Sequence, residues 1–256
     1  MTNSLEGRHV VVTGAARGIG AAIARSLAAE GARLSLMGRK RDALQQLADT
    51  LPGQHAVVTC DVGDAESVNA AFAQARAALG PVAILVNNAG QVESAPFHKT
   101  SLDLWQRTLA VNLTGSFLCA QAALPDMLQA RWGRIVNVAS TAGQKGYAYV
   151  SAYVASKHGV VGLTRSMALE VAKKGITVNA VCPGYTETDI LRESIANVVA
   201  KTGRSEAEAM AEFAAGNPQG RVVQPEEVAD AVRWLCGEAA GSINGQSISV
   251  SGGEVM

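Results

Sequence analysis

Seven short apolar runs, rich in β-branched residues, alternate along this chain with Ala- and Leu-rich stretches at helical spacing. The runs cover residues 10–13, 34–37, 56–59, 83–86, 135–138, 177–181 and 247–250. Apolarity that is continuous rather than alternating marks strands covered on both faces, as in a parallel sheet. The intervening stretches end on helix-stop signals: Ile23, Leu27 and Glu30 precede Gly31, and residues 64–79 run into Gly80-Pro81. Strand–helix alternation of this kind requires right-handed crossovers. The expected fold is α/β: a single doubly wound parallel sheet of about seven strands with helices on both faces. No linker, repeat or composition break divides residues 1–256, so one domain is expected. Residues 186–220 interrupt the alternation with a polar, Ala-rich stretch too long for an ordinary loop. They are expected to be helical and to act as a substrate lid.

Composition excludes several functions. Lys+Arg and Asp+Glu balance at 22 each, so the chain lacks the basic footprint of a nucleic-acid or anionic-membrane binder. The longest uncharged stretch, 108–125, is broken by Asn112, Thr114, Ser116, Gln121 and Pro125, which argues against a membrane span. The first apolar run is too short for a signal peptide. Cys60, Cys119, Cys182 and Cys236 are far apart, with no C-x-x-C pair and no metal-ligand spacing. Reduced, buried thiols of a cytoplasmic protein without a metal site are expected.

The first strand runs straight into a glycine turn and a helix: Val10-Val11-Val12-Thr13-Gly14-Ala15-Ala16-Arg17-Gly18-Ile19-Gly20. Gly14 suits a sharp turn, Gly18 leaves room for a pyrophosphate, and Gly20 lets the helix pack close. The helix N-terminus favours the anion. Asn87-Asn88-Ala89-Gly90 follows the fourth run, and Val111-Asn112-Leu113-Thr114-Gly115 lies in the next helical segment. Ser140 follows the fifth run, Tyr153-Val154-Ala155-Ser156-Lys157 opens a long helix, and Pro183-Gly184 follows the sixth run. With these motifs, in this order, the chain resembles the short-chain dehydrogenase/reductase family from Leu5 to Gly253. The resemblance implies a Rossmann sheet and an NAD(P)-dependent oxidoreductase acting on CH–OH and C=O groups. A serine-hydrolase reading fails, since Gly245-Gln246-Ser247-Ile248-Ser249 lacks the last glycine of an elbow. A dinucleotide-binding sensor without activity would more naturally have lost Tyr153 or Lys157.

Tyr153 and Lys157, four apart on a helix, project from one face. A phenol ionises near pH 10 unaided, and a nearby ammonium is expected to lower that. By resemblance, Tyr153 exchanges a proton with the substrate oxygen, Ser140 hydrogen-bonds that oxygen, and Lys157 holds the nicotinamide ribose. The same resemblance implies that Asn112 supports a water chain to Lys157, while His158, pointing elsewhere on the helix, is read as structural. The resemblance also assigns the cofactor to Gly14, Arg17, Gly18, Ile19, Gly20, Asp61, Val62, Asn88, Gly90, Pro183, Gly184, Thr186 and Thr188. Which threonine holds the carboxamide stays open. Asp61 has a second reading as a cap near Asp64.

Cofactor choice is legible at the second strand, which ends Gly38-Arg39-Lys40-Arg41. NAD-preferring relatives carry an acid here for the ribose 2′-hydroxyl. A guanidinium binds a 2′-phosphate instead, so Arg39 and Arg17 point to NADP(H), with NAD(H) possible. Gln144, Tyr147, Tyr185 and Ile190 are expected near the substrate. The resemblance is strongest to 3-oxoacyl thioester reductases and polyketide ketoreductases. Oxidation of a small hydroxyacid or alcohol, or reduction of free aromatic or cyclic ketones, is the alternative. Arg131, Arg134 and Lys174 are candidate anchors for an acyl carrier or coenzyme A. The apolar helical segments 102–128 and 151–171 and the last strand suggest a homotetramer.

Overall fold

The computed structural model describes residues 5–256. In chain order the elements are β1 (His9–Thr13), α1 (Gly18–Ala29), β2 (Arg33–Gly38), α2 (Arg41–Ala48), β3 (His55–Thr59), α3 (Ala65–Leu79) and β4 (Ile84–Asn87). There follow α4 (Leu102–Leu109), α5 (Gly115–Ala130), β5 (Gly133–Val138), α6 (Ser151–Val171) and β6 (Ile176–Pro183). The chain closes with α7 (Asp189–Thr202), α8 (Glu206–Ala214), α9 (Pro225–Cys236) and β7 (Ser247–Val250).

All seven strands form one parallel sheet in the order β3-β2-β1-β4-β5-β6-β7. The inner apolar runs became strands because their two side-chain sets feed two different cores. Val10 and Val12 pack on the α1/α9 side, whereas Val11 packs on the α3/α5 side. Ile84 and Val86 divide from Leu85 in the same way. At about 25 cal/mol per Å² of apolar area, covering both faces makes the strands the most stabilising part of the fold. Strand order reverses between β1 and β4, which opens a crevice at their carboxyl ends. Open α/β sheets place ligands at such a switch point.

One expected helix is divided. Residues 102–128 form α4 and α5 separated by a wide π turn, Ala110–Thr114. The extra residue accommodates Asn112, whose amide leaves the helix to bond the chain after β4. π bulges often mark functional positions. Residues 186–220 are helical as expected, with α7 and α8 built around their own small core of Leu191, Ile195, Ala209, Ala214 and Val222. A bridge between Thr186 and Val223 ties the ends of this excursion together. No helix among the described residues is long and apolar enough to cross a membrane. All four cysteines are buried and unpaired.

Candidate active site

The glycine turn is held open by its neighbour across the switch point. Thr13 Oγ1 accepts hydrogen bonds from the Asn88 and Ala89 amides at 3.0 and 3.1 Å. Asn88 Nδ2 donates back to the carbonyls of Thr13 and Gly14 at 3.0 and 3.1 Å. Gly14 and Gly18 have φ of 64° and 53°, the left-handed region that disfavours side chains. At Gly20 a Cβ would stand 2.3 Å from the Gly14 carbonyl oxygen, so the helix packs on the turn itself. The first turn of α1 has no acidic residue and no side-chain cap, leaving its amides available to an anion. Ile19, partly buried, packs against the core behind this turn.

Around the turn the structure gathers other expected cofactor residues. A Cβ on Gly18 would approach the Thr188 methyl at 3.2 Å, which sets Thr188 across the turn. Thr188 caps α7 and donates to the Thr186 carbonyl, while Thr186 donates to that of Gly184. Both hydroxyl protons are thus spent on backbone. Asp61 is not a helix cap: Asp64 caps α3, and Asp61 Oδ1 accepts from the Gly63 amide at 3.0 Å. Val62 is buried against Gly115, where a Cβ would meet it at 2.8 Å. Arg39 is exposed beyond the end of β2, with no side-chain partner among the described residues. Arg17 lies 3.5 and 3.6 Å from Asp189 and Glu193 of α7. Glycines where a dinucleotide must approach, an unblocked helix N-terminus and an unpaired guanidinium together fit such a cofactor.

Ser140, Tyr153 and Lys157 come together at the carboxyl end of β5. Ser140 caps a short turn, Thr141–Gly143, by accepting from the Ala142 amide at 3.1 Å, and its hydroxyl meets the Tyr153 phenol. Lys157 is buried, and its Nζ donates to the Val138 carbonyl at 2.8 Å and lies 5.6 Å from the Tyr153 ring centroid. Burial holds the Lys157 pKa down at about 8. The expectation that this ammonium lowers the Tyr153 pKa is overturned. Burial pushes the phenol up, and only the Ser140 hydrogen bond opposes it. Lys157 is itself desolvated and turned toward Val138. A phenol that keeps its proton is poised as an acid.

Asn112 is buried and fully engaged: it accepts from the Gln91 amide at 2.8 Å and donates to the Gln91 carbonyl and Ser156 Oγ at 2.9 and 3.0 Å. Its side chain therefore fixes the chain after β4. A Cβ at Gly90 would stand 3.4 Å from Asn112 Oδ1 and 3.7 Å from Lys157 Nζ. Gly90 thus keeps the space between them open.

The substrate-side residues divide. The amide of Gln144 is tied to β7, donating to the Ser247 carbonyl and accepting from Ser249 Oγ. Tyr147 and Tyr185 meet edge to face, with centroids 6.1 Å apart, and Tyr185 continues onto Phe213 of α8 at 4.9 Å. Ile190 is exposed on the first turn of α7. Phe213 carried no motif, and neither did Glu254, whose buried carboxylate accepts from the Tyr147 hydroxyl at 2.5 Å. The proposed carrier anchors divide. All three lie at the amino-terminal ends of β5 and β6, the opposite end of these strands from Ser140, and Arg131 and Lys174 are exposed there. Arg134 is instead buried, stacked on Trp132 at 4.6 Å and 3.8 Å from Glu238.

A switch-point crevice built for a dinucleotide, opening beside a protonated phenol, defines a nicotinamide-dependent oxidoreductase. The chain belongs to the short chain dehydrogenase family, whose model matches residues 8–199. It is 41% identical over 248 residues to the putative ketoacyl reductase 1 of the granaticin polyketide synthase from Streptomyces violaceoruber, covering 95% of this chain and 91% of that protein. It is 37% identical to the 3-oxoacyl-[acyl-carrier-protein] reductase FabG of Aquifex aeolicus, covering 99% of each. The crystal structure of a single-residue variant of the actinorhodin polyketide ketoreductase with NADPH superposes with a TM-score of 0.90 at 39% identity, over 99% of this chain and 98% of that one.

Proposed function

We propose that this chain reduces a ketone to a secondary alcohol with NADPH, and that the ketone is the 3-oxo group of an acyl thioester. The observation that carries the reading is the partly buried Tyr153 phenol, hydrogen-bonded to Ser140 with Lys157 Nζ 5.6 Å from its ring centroid. When bound, NADPH supplies the hydride. Gly14, Gly18, Gly20, Asn88, Gly90 and Thr188 shape its cradle, and Arg39 receives the 2′-phosphate. Ser140 orients the substrate oxygen, Tyr153 gives it a proton, and Lys157 holds the ribose side and resupplies the proton. Asn112 keeps the loop after β4 in place. The thioester assignment is supported by relatives named as ketoacyl reductases. Arg131 and Lys174 stay exposed and free to meet an acidic carrier, whereas Arg134 is buried.

Exposed Leu102, Phe117 and Leu169 on α4, α5 and α6 support a homotetramer, and four buried thiols suit the cytoplasm. The test of function follows NADPH absorbance with acetoacetyl-coenzyme A, free 3-oxo esters and aryl ketones. Tyr153→Phe is expected to bind NADPH normally and lose at least about 100-fold in turnover. Turnover within about threefold of wild type would remove the role of Tyr153. A higher kcat/KM on the free ketones would remove the thioester.

A further inference from the structure

Glu254, in the segment after β7, is a carboxylate whose side chain is only 4% exposed. A buried charge is tolerated where it is paired and hydrogen-bonded. Its partners all come from the walls of the proposed substrate site. Lys145 Nζ lies 3.0 Å from Oε1, and the Tyr147 hydroxyl donates to the same oxygen at 2.5 Å. Thr141 Oγ1 lies 2.6 Å from that hydroxyl; since the phenol's one proton goes to Glu254, Thr141 donates to Tyr147. Burial first, and Glu254 second, push the Tyr147 pKa well up, so the phenol remains a donor.

The carboxylate also fills the gap between two other segments. A Cβ on Gly184, at the end of β6, would stand 2.9 Å from Oε2, and one on Gly216, after α8, 3.3 Å from Oε1. One side chain thus joins the loop after Ser140, the end of β6 and the base of the lid helices. The Tyr147 hydroxyl is consumed, leaving its ring as the surface it can offer. That ring continues through Tyr185 to Phe213. Tyr185 is close enough to Tyr153 to influence its ionisation, so this aromatic row stands beside the proton donor.

We propose that Glu254 is a positioning residue that sets substrate preference by locking the Tyr147–Tyr185–Phe213 row as one wall of the ketone site. The inference rests on the ketone-reductase reading of that site. An aromatic wall favours ring-bearing ketones, because an edge-to-face contact adds a factor of about 2 to 10 beyond simple burial. A linear ketone needs only Ser140 and Tyr153 and gains little from the wall.

The experiment uses the full chain with NADPH and two probes, 1-tetralone and ethyl acetoacetate. Glu254→Ala is expected to lower kcat/KM for tetralone about tenfold, mostly through KM, since it removes a charge-assisted hydrogen bond. Ethyl acetoacetate kinetics and the NADPH Kd should stay within about twofold. Glu254→Gln keeps an acceptor for Tyr147 and loses the Lys145 pair, so it should recover part of the preference. Tyr147→Phe should reproduce the selective loss. Equal losses on both ketones, or no change on either, would overturn the proposal. If Glu254→Ala does not fold, Glu254→Gln and Tyr147→Phe decide by the same criterion. Should wild type reduce neither ketone, the reductase reading fails, and the positioning role is decided by near-ultraviolet circular dichroism. A tyrosine signal weakened in Glu254→Gln, with the far-ultraviolet spectrum unchanged, upholds the lock, and an unchanged tyrosine signal overturns it.

Discussion

Replacing Lys157 by methionine should abolish turnover and yet stabilise the protein at neutral pH. Methionine has similar length and no charge. The ammonium is buried, and its pKa of about 8 compares with an ordinary 10.5. Carrying that charge into the folded state costs about 3 kcal/mol at pH 7. The substitution also removes the hydrogen bond to the Val138 carbonyl, worth about 2 kcal/mol for a charged donor. The net gain is about 1 kcal/mol, or a Tm rise of about 2–4 °C for a chain of this size. A catalytic site that destabilises its own fold is expected where function demands a buried charge.

The pH dependence separates this cause from a packing effect. The folded pKa is depressed, so between about pH 8 and 10.5 the unfolded chain holds a proton that the folded chain has released. Stability from this group therefore rises with pH across that window. Urea denaturation of wild type and Lys157→Met, at fixed protein concentration from pH 7 to 10.5, should give curves that cross. The variant leads by about 1 kcal/mol at pH 7 and trails by about 2 kcal/mol at the alkaline end, where a neutral amine still serves Val138. Parallel curves would refute the argument, because they would mean that Lys157 enters the folded state without losing affinity for its proton.

Arg39→Ala should weaken NADPH binding by about 1.5–3 kcal/mol and leave NADH nearly unchanged, read as Kd by fluorescence. Gly38→Asp should turn preference toward NADH: Gly38 has an ordinary φ, and a Cβ there meets only Leu44 at 3.7 Å, so the carboxylate enters without strain. Equal effects on both cofactors would show that this corner acts on structure instead. Gly20→Ala should lower Tm and cofactor affinity together, since its Cβ would stand 2.3 Å from the Gly14 carbonyl and force the turn apart. Unchanged affinity for the dinucleotide would separate the turn from the cofactor.

The sheet was legible because the central strands are buried on both faces, which writes an unbroken apolar run into the chain. The glycine turn and Tyr153–Lys157 were legible because each lies within one short segment. What escaped depends on distant partners. The π turn at Asn112 exists because Gln91, 21 residues away, accepts and donates to its amide. Glu254 gains its meaning from Tyr147, 107 residues earlier, and no local pattern announces that pairing. Arg134 read as an exposed basic residue before a strand. Trp132, two positions earlier, was the available hint, since a guanidinium stacked on indole can be buried when a carboxylate such as Glu238 is near. The direction of the Tyr153 shift depended on where Lys157 points, which spacing on a helix does not determine.

Arg17 shows how the readable and unreadable parts of the site work together. Its place in the glycine turn suggested a phosphate partner, and in the structure it faces Asp189 and Glu193 on α7. All three side chains are more than half exposed, so these pairs contribute no more than about 1 kcal/mol. A dianionic phosphate competes well against such weak partners. α7 also rests mainly on the small core it shares with α8, separate from the two cores that sandwich the sheet. Drawing Arg17 away would therefore loosen α7 at its first turn without disturbing the strands. The cofactor's arrival would thereby be coupled to α7 and its partner α8, while Ser140, after β5, and Tyr153 and Lys157, on α6, stay fixed.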